Sequence, residues 1–296
     1  MKIVSLLPSA TEIAFALGLG DQLEGRTFEC DHPVEALQVP IVSGTNLTTN
    51  GSGDAGAIDR EVGSMVDAGE SIYTLDRDRI QAIAPDLILA QDLCRVCAVP
   101  SGDVTAALDV VGCTAEVLSL DPSTLDDVIA GIGLVGAATG TDAEAAALMA
   151  DLGERVDAVR RSTPTLVRPR VLVLEWSDPP FSAGHWVPDM VAAAGGECLL
   201  ADPGDRSRPL SWDEIAAVAP DVVVFAPCGF DLDGATEQAA SLVDRPELAG
   251  AERFYSVDGN AHFSRPGPRL VDGVEVLAEL LHTDAPVLDA NARRLR

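Results

Sequence analysis

Apolar residues recur along this chain in two rhythms, short unbroken runs and stripes at helical spacing, and their alternation outlines an α/β protein. Residues 3–7 form a short apolar strand, and Pro8-Ser9-Ala10-Thr11-Glu12 follows at once. Ser9 ahead of Glu12 has the form of a capping box, which predicts a helix through Leu17 that stops at Gly18 or Gly20. Residues 27–30 read as a further strand, 43–56 as a polar, glycine-rich loop, and 58–68 and 76–83 as amphipathic helices. The longest helical rhythm lies at 121–162. Leu125, Val128, Ile129, Ile132 and Val135 share one face behind a capping box of Ser123 and Asp126. Gly140 interrupts, Thr141 and Glu144 open a second helix, and its stripe is Leu148, Leu152, Val156 and Val159. About twenty residues of helix span roughly 30 Å, the width of a small domain, so this helix reads as a strut.

One unit occurs on each side of the strut. Ile-Gln-Ala-Ile-Ala-Pro-Asp-Leu-Ile-Leu-Ala at 80–90 matches Ile-Ala-Ala-Val-Ala-Pro-Asp-Val-Val-Val-Phe at 215–225, with Pro85 on Pro220 and Asp86 on Asp221. A second buried strand is read at 170–175, helices at 187–194, 234–243 and 269–281, and a strand at 253–257. The predicted fold is α/β with two lobes, each a short mainly parallel sheet flanked by helices, joined by a long backbone helix. The lobes are placed at 1–121 and 166–296, with the helical linker at 122–165.

Composition narrows the function. The chain of 296 residues is 47% hydrophobic, enough for one or two substantial cores. Acidic residues number 47 against 20 basic ones, for a net charge of −27, and Lys2 is the only lysine. Nucleic acid and anionic membrane surfaces are disfavoured as partners, because both require positive charge. A charge spread this evenly matches proteins that stay soluble in molar salt, and it predicts a halophilic source. No apolar run reaches the length of a membrane span, so no membrane insertion is expected. Pro8, Glu12 and Asp21 break the opening apolar stretch, which reads as strand and helix and not as a signal peptide. The location read from this is cytoplasmic, with an extracytoplasmic one as the alternative if the sequence has been trimmed.

Several stretches carry a resemblance. The opening KIVSLLPSATEIAFALGLGDQLEGRTFECDHP, the paired Ala-Pro-Asp strand units, the central helix and the closing FYSVDGNAHFSRPGPRLVDGVEVLAELL resemble the helical-backbone class of ABC-transporter substrate-binding proteins. These deliver cobalamin and iron–siderophore complexes to importers. ECDHP at 29–33, QDLCRVCAV at 91–99, EWSDPPFSAGHWVP at 175–188 and PCGF at 227–230 are similar to the cobalamin-binding branch. The resemblance implies a non-enzymatic binding protein, a corrinoid or metal chelate held in a cleft between the lobes, and an importer permease as partner.

In open parallel sheets, ligands sit outside the carboxyl ends of the strands. That rule selects Glu175, Trp176, His185, Trp186 and His262 as ligand-binding candidates, and Ser9 joins them at the first helix start, whose exposed amides favour an anionic or polar ligand although most such turns bind nothing. The rule also selects Cys30, Cys94, Cys97 and Cys228 as candidate thiolates for zinc or an iron–sulfur cluster. Each has a plainer reading. Cysteine is often a small buried hydrophobe, as Cys113 and Cys198 are read here. One Cys-x-x-C without a second is redox, metal-binding or incidental. Tryptophans in such loops are cleft wall or core, and histidines are ligands or satisfied polar residues. Two functions therefore stand side by side: a cleft that binds a corrinoid or metal chelate, and a cytoplasmic metal or iron–sulfur redox protein on the same fold. No phosphate loop, Ser-His-Asp order or metalloprotease helix is present, so no hydrolase is expected.

Overall fold

The computed structural model describes residues 1–49, 53–92, 102, 104, 114–163, 168–283 and 291–296. Contacts divide the chain into two compact units: 1–51, 60–122 and 129–150 form the first, and 52–59, 123–128 and 151–296 the second. Each is built on a mainly parallel sheet. In the first, strands β1 (Ile3–Ser5), β2 (Leu23–Thr27), β3 (Ile41–Thr45), β4 (Tyr73–Leu75), β5 (Leu87–Ala90) and β6 (Glu116–Ser119) lie in the order β4-β3-β2-β1-β5-β6. Only the β3–β4 pairing is antiparallel. In the second, β7 (Arg170–Ser177), β8 (Pro180–Ser182), β10 (Val222–Phe225), β11 (Arg253–Val257) and β12 (Ala292–Arg294) follow the order β12-β11-β10-β7-β8. The two-residue β9 (Glu197–Cys198) pairs with β7 off that path. Val171, Leu172, Val173 and Leu174 are fully buried, as are Val222, Val223, Val224 and Phe225, the signature of a sheet covered on both faces.

The repeated Ala-Pro-Asp unit has a clear physical purpose. In both copies a helix ends on an alanine in the left-handed region, Ala84 at φ 50° and Ala219 at φ 43°. The aspartate that follows turns back to the strand that pairs with its own, β1 in the first unit and β7 in the second. Asp86 Oδ2 accepts from the Lys2 amide at 2.7 Å, and Asp221 Oδ2 accepts from the Arg170 amide at 2.8 Å. The basic side chains complete the clamp, Lys2 Nζ donating to the Ile83 carbonyl and Arg170 Nη1 to the Ala219 carbonyl. In return the Asp86 and Asp221 amides donate to the carbonyls of Lys2 and Arg170. The motif thus fixes the register of β5 on β1 and of β10 on β7, where Ile3 faces Leu87 and Val171 faces Val222.

Several predicted boundaries shift. The first helix runs over Pro8–Ala16 with Leu7 at its N-cap and no side-chain cap, so Ser9 and Glu12 lie inside the helix and are buried. Pro8 supplies the start instead, because its ring presets the helical φ and its missing N–H is not needed there. Thr124 and Asp127, not Ser123 and Asp126, exchange the capping bonds of the helix Leu125–Thr139. The strand expected at 27–30 lies upstream as β2, and Cys30 closes a turn onto the Thr27 carbonyl. β2 contains Glu24, Gly25 and Arg26, residues with little strand propensity, and it exists because β1 and β3 pair with it. Gly25 is required there: a Cβ would stand 2.7 Å from the Val42 side chain. The loop expected at 43–56 begins with β3 and ends in the helix Ala55–Ala68.

The helix Asp142–Ser162 extends over the predicted strut, with Leu152, Val156 and Val159 buried along it. In the second unit its Arg155 grips the helix Leu270–His282 by bonds to both oxygens of Glu275 and one of Asp272. No helix among the described residues is long and apolar enough to cross a membrane.

Candidate functional site

Two site candidates of the second unit, Glu175 and Trp176, lie where β7 outruns its neighbour. Phe225, the last residue of β10, pairs with Leu174, whereas β7 continues through Glu175, Trp176 and Ser177 before turning into β8. The hairpin therefore projects beyond the carboxyl edge of the sheet, where ligands bind in open α/β sheets. Trp176 is part-buried on it, and the Phe230 ring, from the loop after β10, lies at a centroid distance of 5.9 Å. The Trp176 indole Nε1 has no hydrogen-bond partner. Sequence reasoning had not selected Phe230; its position five residues past a buried strand was the available signal.

Glu175 holds this edge together. Its carboxylate accepts from the Gly184 amide at 3.2 Å and from Ser207 Oγ at 2.5 Å, and its carbonyl accepts from the Cys228 amide. Gly184 allows the approach, since a Cβ there would stand 2.3 Å from the Ser207 nitrogen. Glu175 is thus a positioning residue for the 202–208 loop. That loop borders a cavity of about 300 Å3, into which Cys198 and Asp202 also face. Burial, then the carboxylates of Glu175 and Asp202, push the Cys198 thiol up to about 12, so it is a neutral thiol.

His185 has an unusual backbone, with φ 53°. Its amide donates to the Asp205 carbonyl at 2.6 Å and its carbonyl accepts from Gly204 at 2.9 Å, which together hold it in that conformation. Burial first, and the Arg206 charge second, lower its pKa, so the imidazole is neutral at pH 7. Its Nε2 has no partner, and its ring stands 5.5 Å from that of Trp186. A neutral, unbonded imidazole is the form of histidine that binds metals.

Three candidates are brought elsewhere. Trp186 is 6% exposed, and its indole donates to the Phe263 carbonyl at 2.7 Å, so it is core and not cleft wall. His262 is buried, with ring nitrogens 3.4 Å from the Arg269 carbonyl and 3.1 Å from Asn291 Oδ1, both positions engaged by the fold. Ser9 is buried within the first helix.

Of the thiolate candidates, Cys30 is buried in the first unit with its sulfur 2.9 Å from Thr11 Oγ1. Cys228 is exposed in the second. Cys94 and Cys97 lie outside the described residues. Among the described residues no group of three or more metal-ligating side chains converges. The reading as a metal or iron–sulfur redox protein is therefore not supported. Cys30 and Cys228 each follow the end of a strand, but strand-end position alone does not expose a sulfur, and Thr11 covers that of Cys30.

In the first unit the loop after β3 is pinned at the same kind of edge. Glu61 accepts bonds from the amides and hydroxyls of both Thr48 and Thr49. These bonds, the Thr49 hydroxyl foremost, lower its pKa to about 2.

Comparison with known proteins agrees with this architecture. The periplasmic binding protein family matches residues 3–252. An ABC transporter substrate-binding lipoprotein of Bacillus subtilis, YvrC, itself uncharacterised, is 25% identical over 96% of this chain and 80% of its own length. A cobalamin-binding protein of Halobacterium salinarum is 26% identical over 95% of this chain and 69% of its own. The periplasmic haem-binding protein RhuT of Roseiflexus shares the fold at a TM-score of 0.68 and 24% identity, covering 94% of this chain and 96% of RhuT. The names these carry are those of binding proteins, not enzymes. With two mainly parallel α/β units and a family match across most of its length, the chain belongs to the periplasmic binding protein family.

Proposed function

We propose that this protein is the ligand-binding component of an ABC importer, and that its ligand is a macrocyclic metal chelate, a corrinoid such as cobalamin in the first place and a haem in the second. The observation that carries the reading is the projecting edge of β7, where Trp176 and Phe230 form an aromatic surface, with the neutral imidazole of His185 in the loop that follows β8. A flat macrocycle needs large rigid apolar walls and few polar groups, which this edge supplies. The relatives named for cobalamin and haem support the same ligand class. Among the sequence candidates Trp176 and His185 are assigned to ligand contact and Glu175 to positioning. An importer permease is the partner, and nucleic acid is disfavoured by the charge of −27. An importer role places ligand capture outside the cytoplasm, against the cytoplasmic reading of the sequence, and cell fractionation distinguishes the two.

The test is the absorption spectrum and metal content of protein purified without oxygen. The expected preparation carries neither zinc nor iron–sulfur absorption, and it gains a corrinoid or haem spectrum after incubation with that chelate and gel filtration. Stoichiometric zinc, or an iron–sulfur spectrum lost on chelation, would restore the thiolate reading in its place.

A further inference from the structure

The cavity beside Glu175 narrows what the ligand carries at its rim. At about 300 Å3 it stands at the low end for small-molecule sites, the size of a side arm and not of a whole macrocycle. Its polar lining is Ser182, Asp202, Asp205, Arg206 and Arg208. Two of these are engaged: Ser182 Oγ accepts from the Arg208 amide, and the Arg208 guanidinium pairs with Glu214 at 3.0 Å. Arg206 has no ion-pair partner among the described residues, although the Asp202 and Asp205 carboxylates line the same cavity. The neutral thiol of Cys198, with Leu200 and Ala201, adds wall without charge. The loop is also held in place, by Ser207 on Glu175 and by the His185 bonds to Gly204 and Asp205.

A guanidinium only donates hydrogen bonds and a carboxylate only accepts them. A wall that offers one free guanidinium and two carboxylates fits a group that accepts and donates at once and has no net charge. A primary amide does both, its carbonyl accepting from Arg206 and its NH2 donating to Asp202 or Asp205. A carboxylate of the same shape has no proton to give and faces two like charges.

We infer that this cavity is an amide-reading subsite, which selects a macrocycle rimmed by carboxamides, as a corrinoid is, over one rimmed by carboxylates, as a haem is. The inference rests on the proposed binding of a macrocyclic chelate and names which kind. Arg206, Asp202 and Asp205 are its specificity-determining residues.

The test compares one macrocycle with two rims. Dicyanocobinamide carries the amides, and dicyanocobyrinic acid carries carboxylates in their place; haemin is the third probe. Affinities are read by absorbance at one fixed potassium chloride concentration. The wild-type protein is expected to bind the amide form about tenfold more tightly or better, because the unmatched rim leaves site groups unpaired. Asp202→Asn with Asp205→Asn is expected to raise affinity for the carboxylate form and shrink that preference, while Arg206→Gln weakens the amide form. All three side chains lie on exposed residues, and unchanged melting temperatures verify the variants' folding. Equal or tighter binding of the carboxylate form, or a preference that the variants leave unchanged, overturns the inference. Haemin binding without either corrinoid also overturns it but leaves the functional reading in place; no binding of any probe overturns both.

Discussion

Replacing Asp221 with alanine is expected to destabilise the second unit by about 1.5–3 kcal/mol, the range for a hydrogen bond to a charged group. The carboxylate holds the Arg170 amide at the start of β7, and its loss leaves that donor without its partner at the end of a fully buried sheet. Asp86→Ala should act alike on the first unit through the Lys2 amide. Urea unfolding checks both, as a lower midpoint with the slope retained. Ala219→Gly is the opposing control. The left-handed backbone costs alanine about 1–2 kcal/mol, which glycine avoids, and glycine's greater unfolded-state freedom offsets about 0.5–1 of it. The variant should therefore be neutral to slightly more stable. Unshifted midpoints for both aspartate variants would mean that the repeated motif does not clamp the sheets.

The melting temperature is expected to rise by more than about 5 °C between low salt and molar potassium chloride, the shift that roughly 2 kcal/mol produces in a domain of this size. Forty-seven acidic side chains stand against twenty basic ones. Their mutual repulsion acts over about 10 Å at 0.1 M salt and about 3 Å at 1 M. The ion pairs do not cancel the trend. Pairs such as Arg161–Glu154 and Arg160–Asp157 are exposed, and contribute little when screened. A melting temperature that stays level across that range would remove the argument for a halophilic source.

How much of this was legible in the sequence follows from what held each element together. β5, β7, β10 and β11 are apolar runs covered on both faces, so their own residues announce them. The Ala-Pro-Asp repeat was visible as a pattern, but the bonds that make it a clamp lie 51 residues apart in one copy and 84 in the other. β2 was displaced and β3, β4, β6, β8, β9 and β12 went unread, because short strands owe their conformation to the neighbours that pair with them. The same distinction governs the site. Trp176 and His185 were selected from strand-end position, which a sequence shows, and the fold leaves a ring nitrogen of each without a partner. Trp186 and His262 fit that rule equally well, yet the Phe263 carbonyl and Asn291 engage them, and such partners appear only once the chain is folded. Glu175 was selected as a ligand contact, whereas Ser207 and Gly184, distant in the chain, give it a positioning role. The cavity beside it was not foreseen, since its lining comes from β8, β9 and residues 200–208, which meet only once the chain is folded.

The central claim is that this chain binds a macrocyclic metal chelate at the Trp176 edge, and calorimetric titration of the purified protein tests it most directly. Cyanocobalamin is expected to bind with one-to-one stoichiometry and a Kd of about 1 μM or tighter, near −8 kcal/mol. Trp176→Ala should weaken that binding about tenfold or more, as loss of a buried aromatic anchor does at other interfaces. The absence of saturable binding for cyanocobalamin, dicyanocobinamide and haemin alike, or binding that Trp176→Ala leaves untouched, would contradict the account.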